Sequence, residues 1–145
     1  MQVTRIDHES RLILRLWRGR ISPLDILASI RQAAEGARSD ILYRDLCIFD
    51  ASIAEIDPRT LQNFRAEVAG LRVDEKLHRS RVAFYSAAPH DEPLLRLWVQ
   101  MRDYEGAGIE ARTFHDLNET AKWLEIDTAL LRRRLVEMIG FKEPT

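Results

Sequence analysis

Two short apolar runs near the N-terminus predict a β-hairpin. They cover residues 3–6 and 11–17, and the polar segment His8-Glu9-Ser10 lies between them. In the second run leucines alternate with arginines, which is typical of a strand with one face on the core. We therefore expect one face of this strand to be buried and Gly19 to end it. The alternating residues are Leu12, Leu14 and Leu16 against Arg11 and Arg15.

Helix start signals follow at three places where an N-cap residue stands close before a proline. They are Ser22-Pro23, Asp57-Pro58 and Asp91-Glu92-Pro93. Such residues satisfy the free N–H groups of a first helical turn, and proline fits the first position. Apolar residues then recur at helical spacing, so each helix is expected to bury one face. These inner faces are Ile26, Ile30, Ala33 and Ala37; Leu61, Phe64, Val68 and Leu71; and Leu94, Trp98 and Met101.

Apolar runs between the helices predict buried strands. Residues 46–49 and 82–85 are apolar throughout, which favours central strands covered on both faces. Thr113 and Phe114 close a last strand that runs directly into a capped helix. There Asp116 is expected to accept the backbone N–H of Glu119, while the Glu119 side chain reaches back in a capping box.

The order of these elements predicts an α/β domain over residues 1–124. Its sheet is expected to have four or five mostly parallel strands, with the N-terminal strand antiparallel and helices packed against it. Residues 125–145 are expected to form an additional amphipathic helix and a tail. Because a helix over residues 127–139 is marginal alone in water, its apolar stripe needs a surface to cover. We predict that this surface is a second copy of the chain in a homodimer; the alternative is that the helix folds back on its own domain. The stripe is Leu131, Leu135 and Met138.

Composition narrows the classes of function. The 145 residues, 46% of them hydrophobic, suit one domain with one core. The 22 Lys and Arg residues nearly cancel the 23 Asp and Glu residues, so no global field attracts nucleic acid or an anionic membrane. The single Cys47 lies in an apolar run, where it is expected to be a small buried hydrophobe. No apolar stretch reaches the length of a membrane span and no signal region is evident, so we expect a cytoplasmic protein.

Candidate chemistry is expected at the rim where the carboxyl ends of parallel strands meet. A Ser–His–Asp hydrolase can be drawn there, with Ser86 or Ser52 as nucleophile, His115 as base and Asp50 as orienting group. No Gly-x-Ser-x-Gly turn surrounds either serine, so we expect rim and capping residues and no catalytic site. The residues expected at this rim are Trp17, Asp50, Ser52, Tyr85, Ser86, His115 and Asp116.

Cofactor motifs are missing from the sequence. The histidines at positions 8, 78, 90 and 115 lack the close spacing of zinc ligands, and no glycine-rich phosphate loop is present. We therefore expect no metal or other cofactor. Trp98 and Trp123 fit core positions, although they could line a lipid pocket. The arginines of the hairpin fit a solvated strand face or a patch for an anionic partner. These are Arg5, Arg11, Arg15, Arg18 and Arg20.

The hairpin ending at Gly19, the strand ending in Asp50 and the closing pattern together resemble the SpoIIAA-like fold. The pattern is Phe114-x-Asp116-x-x-Glu119-x-Ala121-x-Trp123-Leu124, and the likeness is to the bacterial STAS-related branch, which is also akin to CRAL-TRIO lipid-binding domains. The resemblance covers about residues 1–124. It implies a non-enzymatic regulatory or protein-binding module, with carriage of a small apolar or lipid-like ligand as the alternative.

Anti-sigma-factor antagonists of that fold carry an Asp-Ser-Ser-Gly-like segment whose serine is phosphorylated. In the matching stretch Asp57 keeps the acidic position, but Pro58 and Arg59 stand where the serines would be, and Thr60 is the nearest hydroxyl. The resemblance therefore does not carry over the phosphoswitch. We expect an unidentified protein partner to bind at the rim and the adjacent helix start, through Asp50, Ser52, Asp57, Arg59, Thr60, Tyr85, Ser86 and His115.

Overall fold

The computed structural model describes residues 1–38, 40–54, 59, 79–86 and 110–144, with backbone only for residues 51–54, 79 and 80. This part of the chain forms an α/β fold, as predicted. Its strands are β1 (Gln2–Asp7), β2 (Leu12–Ile21), β3 (Tyr43–Ala54), β4 (Arg79–Ser86) and β5 (Glu110–Phe114). Its helices are α1 (Pro23–Gly36), α2 (Leu117–Trp123) and α3 (Thr128–Ile139).

The five strands form one sheet in the order β1-β2-β3-β4-β5. β1 pairs antiparallel with β2, and each later strand pairs parallel with the one before it. The mostly parallel sheet with an antiparallel N-terminal strand is therefore confirmed. Because β2 to β5 point the same way, their carboxyl ends share one edge of the sheet.

Gly19 does not end the second strand, contrary to expectation. β2 continues to Ile21, and its register with β3 shifts between Arg18 and Gly19. Gly19 has φ +64°, a left-handed conformation that glycine adopts without the penalty of a Cβ atom. The glycine thus permits an irregularity within the strand rather than a stop.

Both faces of β2 are buried, so the expectation of a single buried face is wrong. The leucines of β2 join a core with α2 and α3, which includes Leu131, Leu135 and Ile139. On the opposite face Ile13 packs with Ala33 of α1 and with Tyr43. Since α1 covers the second face, Arg15 is 1% exposed instead of facing solvent.

Arg15 is tolerated in the interior because its guanidinium group has well-aligned partners. Its Nε and Nη2 donate to the two carboxylate oxygens of Asp45 at 3.1 and 2.9 Å. Its Nη1 donates to the Ser29 hydroxyl at 3.0 Å, and that hydroxyl lies 2.7 Å from the hydroxyl of Thr4. All four side chains are buried, so the two charges have lost their contact with water and depend on this bidentate pair and its hydrogen bonds.

Helix α1 begins as the sequence predicts. The Ser22 hydroxyl accepts the N–H of Asp25, whose carboxylate accepts the N–H of Ser22, which completes a capping box. Ile26, Ile30 and Ala33 are buried, as expected for the inner face. The helix ends at Gly36. Ala37, which was also expected on the inner face, is therefore the C-cap.

Helix α2 is capped by Asp116, whose Oδ1 accepts the N–H groups of Asn118 at 2.7 Å and Glu119 at 3.3 Å. Among the described contacts of Asp116 there is no return bond from the Glu119 side chain, so only half of the predicted capping box is formed. Trp123 packs against Phe114 with ring centroids 5.4 Å apart, which places it at the margin of the core.

Helix α3 folds back on its own sheet. It begins after Asp127, whose carboxylate accepts the N–H of Leu130 at 3.0 Å. Leu131 and Leu135 are 0% and 1% exposed in the core of the same chain, and Met138 packs partly buried against that core. The expectation that this stripe covers a second copy is therefore wrong, and the homodimer is a prediction without this support. Leu131, Leu135, Ile139 and Phe141 lie in one core with described residues of β2, β3, β4 and α2.

The helices predicted after Asp57 and Asp91, including Trp98, lie outside the described residues. Arg59 is described there, as a helical and exposed residue. Within the described ranges, no helix combines the length and the apolar character needed to cross a membrane.

Candidate functional site

The carboxyl edge of the sheet brings four of the predicted site residues together. Tyr85 and Ser86 end β4, and His115 follows β5. Asp50 lies within β3, which continues to Ala54, so the expectation that this strand ends in Asp50 is wrong. Strand register places Phe49 beside Ser86, and Tyr85 beside Phe114. The strand topology thus places these four residues near one edge of the sheet, and their role in binding a partner stays a prediction.

Trp17 does not belong to the exposed rim. Its side chain is 2% exposed and stacks on Phe49, with ring centroids 6.5 Å apart. Phe49 in turn stacks on Phe84 at 6.3 Å. These three aromatic side chains lie on the face of the sheet that α1 covers. The position of Trp17 along its strand does not by itself show whether the side chain lies on this face or at the exposed edge.

Asp50 is held by an arginine of the neighbouring strand. The Arg18 Nε atom donates to Asp50 Oδ2 at 2.6 Å, and Arg18 Nη2 donates to the Gly140 carbonyl at 3.4 Å. The two side chains of the pair are 40% and 36% exposed, so water screens the attraction and it adds little stability. The arrangement connects β2, β3 and the end of α3.

His115 is oriented by backbone rather than by a nucleophile. Its Nδ1 donates to the main-chain carbonyl of Ser86 at 2.8 Å. Because a carbonyl only accepts, Nδ1 carries the proton, and Nε2 is the acceptor of the neutral ring. Ser86 itself is 0% exposed. Among the described contacts, none joins His115 to a serine hydroxyl or to Asp50.

The C-terminal tail folds over this edge, a feature that sequence reasoning missed. Gly140 has φ +66°, and the N–H of Phe141 donates to the Leu135 carbonyl at 3.0 Å, which reverses the chain after α3. Phe141 is 3% exposed and meets the ring of Tyr85 edge-on at 6.1 Å. A glycine followed by an apolar residue after a helical pattern is the signal that predicts such a return.

Arg132 forms an ion pair with Glu143 of the tail. Its Nε is bonded to Glu143 Oε1, and its Nη2 donates to Asn118 Oδ1 at 2.9 Å. Arg132 and Glu143 are 43% and 31% exposed, so their ion pair can exchange with water and with other ions.

Tyr85 lies one residue before the end of β4. The residue is 2% exposed, yet its hydroxyl makes no hydrogen bond with any described residue. Burial raises the pKa of Tyr85, and the carboxylates of Glu143, Asp116 and Asp50 raise it further, against the opposing charge of Arg132. The hydroxyl therefore remains protonated at neutral pH and is a hydrogen-bond donor. We call Tyr85 and the charged residues described with it the carboxyl-edge cluster. Its members are Arg18, Asp50, Tyr85, Asp116, Arg132 and Glu143.

The opposite edge of the sheet is occupied by the end of α2. Arg44 donates to the carbonyls of Leu124, Glu125 and Ser10, the last two at 2.9 and 3.1 Å, and Arg81 donates to the carbonyl of Trp123. These arginines satisfy carbonyls that a helix end leaves free. Burial lowers the pKa of Arg44, with neighbouring arginines adding to the effect against the charge of Glu125. This edge has a structural role.

The remaining predicted positions give less information. Ser52 lies in β3, where only its backbone is described, and Arg59 is exposed. Asp57 and Thr60 lie outside the described residues. In the part of the chain that the structure describes, no three His, Cys, Asp or Glu side chains are grouped so that they could hold a metal ion.

Comparisons with protein-family profiles, with curated proteins and with solved structures find no match to this chain.

Proposed function

We propose that the chain is a non-enzymatic regulatory or protein-binding module of STAS type, with a SpoIIAA-like fold and without the phosphorylatable serine. Its recognition surface is the carboxyl edge of the sheet. The mostly parallel sheet with an antiparallel first strand agrees with the fold that the sequence resembles.

One observation carries the non-enzymatic assignment. His115 directs its protonated Nδ1 to the backbone carbonyl of Ser86, whose side chain is buried, while Asp50 is paired with Arg18. A Ser–His–Asp hydrolase needs a histidine that is hydrogen-bonded to the serine hydroxyl and a carboxylate that orients this histidine. The described contacts favour structural pairs instead.

Partner binding is supported by the exposure and the mixed charge of the edge. Arg18, Asp50, Arg132 and Glu143 are each between 31% and 43% exposed, and they present both signs of charge. Such part-exposed polar groups resemble the rim of a protein interface, where they set specificity more than affinity.

The test is affinity capture with charge-reversed variants of the full chain from its native host. Asp50→Lys changes the edge, and Glu35→Lys makes the same change at an exposed position of α1. We expect wild type and Glu35→Lys to retain one stoichiometric protein and Asp50→Lys to lose it. Equal capture by both variants contradicts the proposal.

Two further measurements separate the alternatives. Ester hydrolysis that disappears in Ser86→Ala or His115→Ala would support a hydrolase, and a small apolar molecule found by native mass spectrometry would support carriage. Phosphate on Ser52 or Thr60 would show that a phosphoswitch is present after all.

A further inference from the structure

The tail of this chain already places a carboxylate on the carboxyl edge. Glu143 reaches Arg132 from a short segment after α3, and the pair remains part exposed. Phe141 of the same segment is buried against Tyr85, so the tail is anchored by its aromatic residue and not by its acidic one. Glu143 can therefore leave Arg132 while the fold stays intact.

The second observation is the donor beside this pair. The Tyr85 side chain is almost fully buried, but its hydroxyl has no hydrogen-bond partner among the described residues. Buried polar groups are nearly always paired, since an unpaired donor loses its hydrogen bonds to water without replacement. Phe141 meets the Tyr85 ring at 6.1 Å and stands two residues before Glu143, so the same short segment brings Glu143 and its partner Arg132 close to Tyr85.

We propose that Arg132 and Tyr85 form a binding site for the carboxylate of an acidic peptide segment on a partner protein. Glu143 of the tail forms the ion pair with Arg132 until the partner's carboxylate replaces it. The proposal rests on the proposed function, because it names the chemistry that the recognition surface takes. The tail is thus an internal competitor for the site.

Charge and geometry favour replacement at this position over addition of a further anion. Asp50 is already paired with Arg18, and Asp116 accepts two N–H groups of α2. An additional carboxylate would meet their repulsion, whereas exchange with Glu143 leaves the local charge unchanged. The incoming carboxylate can also accept a hydrogen bond from the Tyr85 hydroxyl. Glu143 does not accept this bond.

The probe is an N-acetylated, C-terminally amidated peptide with the sequence of residues 141–145, Phe-Lys-Glu-Pro-Thr. A second peptide with glutamine in place of glutamate is its control. Both are titrated into the full-length protein and followed by chemical-shift changes in NMR spectra. The first peptide is expected to bind weakly to wild type, because the tethered tail competes at high effective concentration.

Four variants separate a binding role from a structural one. Glu143→Gln removes the competitor and should tighten peptide binding by up to about fivefold, the upper limit for a part-exposed ion pair. Arg132→Gln should weaken binding by about tenfold or more, as expected for the loss of a charge-assisted bond. Arg133→Gln makes the same charge change at an exposed neighbour and should bind like wild type. Tyr85→Phe should weaken binding by about threefold to tenfold, the range for one hydrogen bond, without lowering the melting temperature.

Equal binding of both peptides, or equal effects of Arg132→Gln and Arg133→Gln, would overturn the proposal. So would a Tyr85→Phe variant that loses thermal stability and keeps its affinity. Binding of free acetate at this site without binding of the peptide would overturn the assignment to a peptide. If Arg132→Gln still captures the partner that Asp50→Lys loses, this inference fails while the proposed function stands.

Discussion

Replacement of Leu131 by alanine tests whether α3 belongs to the core of its own chain. The side chain is 0% exposed, so everything that the substitution removes is buried. The three lost carbon atoms account for about 2.4 kcal/mol of transfer free energy, at about 0.8 kcal/mol each. A cavity adds to this, which places the expected loss of unfolding free energy at about 2–5 kcal/mol.

The assay is urea denaturation of the full chain at two protein concentrations, with light scattering under native conditions. Val136→Ala is the matched control, because Val136 lies on the same helix and is 52% exposed. It should change the unfolding free energy by no more than about 0.5 kcal/mol. The midpoint for Leu131→Ala should be lower and independent of protein concentration, since the lost contacts lie within one chain.

A different result would refute this reasoning. If Leu131→Ala converts a wild-type dimer into a monomer of unchanged stability, the stripe lies against a second copy. A chain ending at Glu125 gives the same test in a stronger form. It removes Leu131, Leu135 and Ile139 from the core, so it should fail to form a stable folded monomer.

Two other predictions concern buried and pH-dependent ion pairs. Asp45→Ala should cost about 3–5 kcal/mol in urea denaturation, because the buried charge of Arg15 loses its carboxylate partner. The double variant Arg15→Met, Asp45→Leu should recover most of that loss, and equal stability of the single and double variants would contradict this. Burial alone would raise the pKa of Asp7, but the Ser10 hydroxyl and Arg134 hold it below its ordinary value. A lowered folded-state pKa gives stability above the unfolded pKa that is lost as pH falls through the folded pKa. Asp7→Asn should therefore lose less stability than wild type on acidification below about pH 4, as thermal melts would show; parallel losses would contradict it.

Local signals were sufficient for the elements, because their causes are local. The caps Ser22, Asp116 and Asp127 each lie within three residues of the N–H groups that they accept. Arg15 is different, since its environment is set by Asp45 on the next parallel strand and by Ser29 on α1. A leucine–arginine alternation is the same whether the arginine meets water or a buried carboxylate.

The candidate site likewise has one part that the sequence predicts and one part that it does not. Strand topology was enough to bring Asp50, Tyr85 and His115 to one edge, since parallel strands share their carboxyl ends. The partners that determine what the edge does come from elsewhere in the chain. Arg132 and Glu143 reach it from α3 and the tail, and no spacing in the sequence relates them to the rim.

Helix α3 connects the stability of the fold to the state of the site. Glu125, shortly before α3, has its carbonyl bonded to Arg44 at the start of β3. Gly140, directly after α3, has its carbonyl bonded to Arg18 near the end of β2. The helix therefore runs from the amino edge of the sheet to the carboxyl edge. Its apolar side covers the sheet, and its end delivers the tail to the carboxyl-edge cluster. Because Arg132 lies on the exposed side of the same helix, a substitution at Arg132 tests the proposed binding without opening the core.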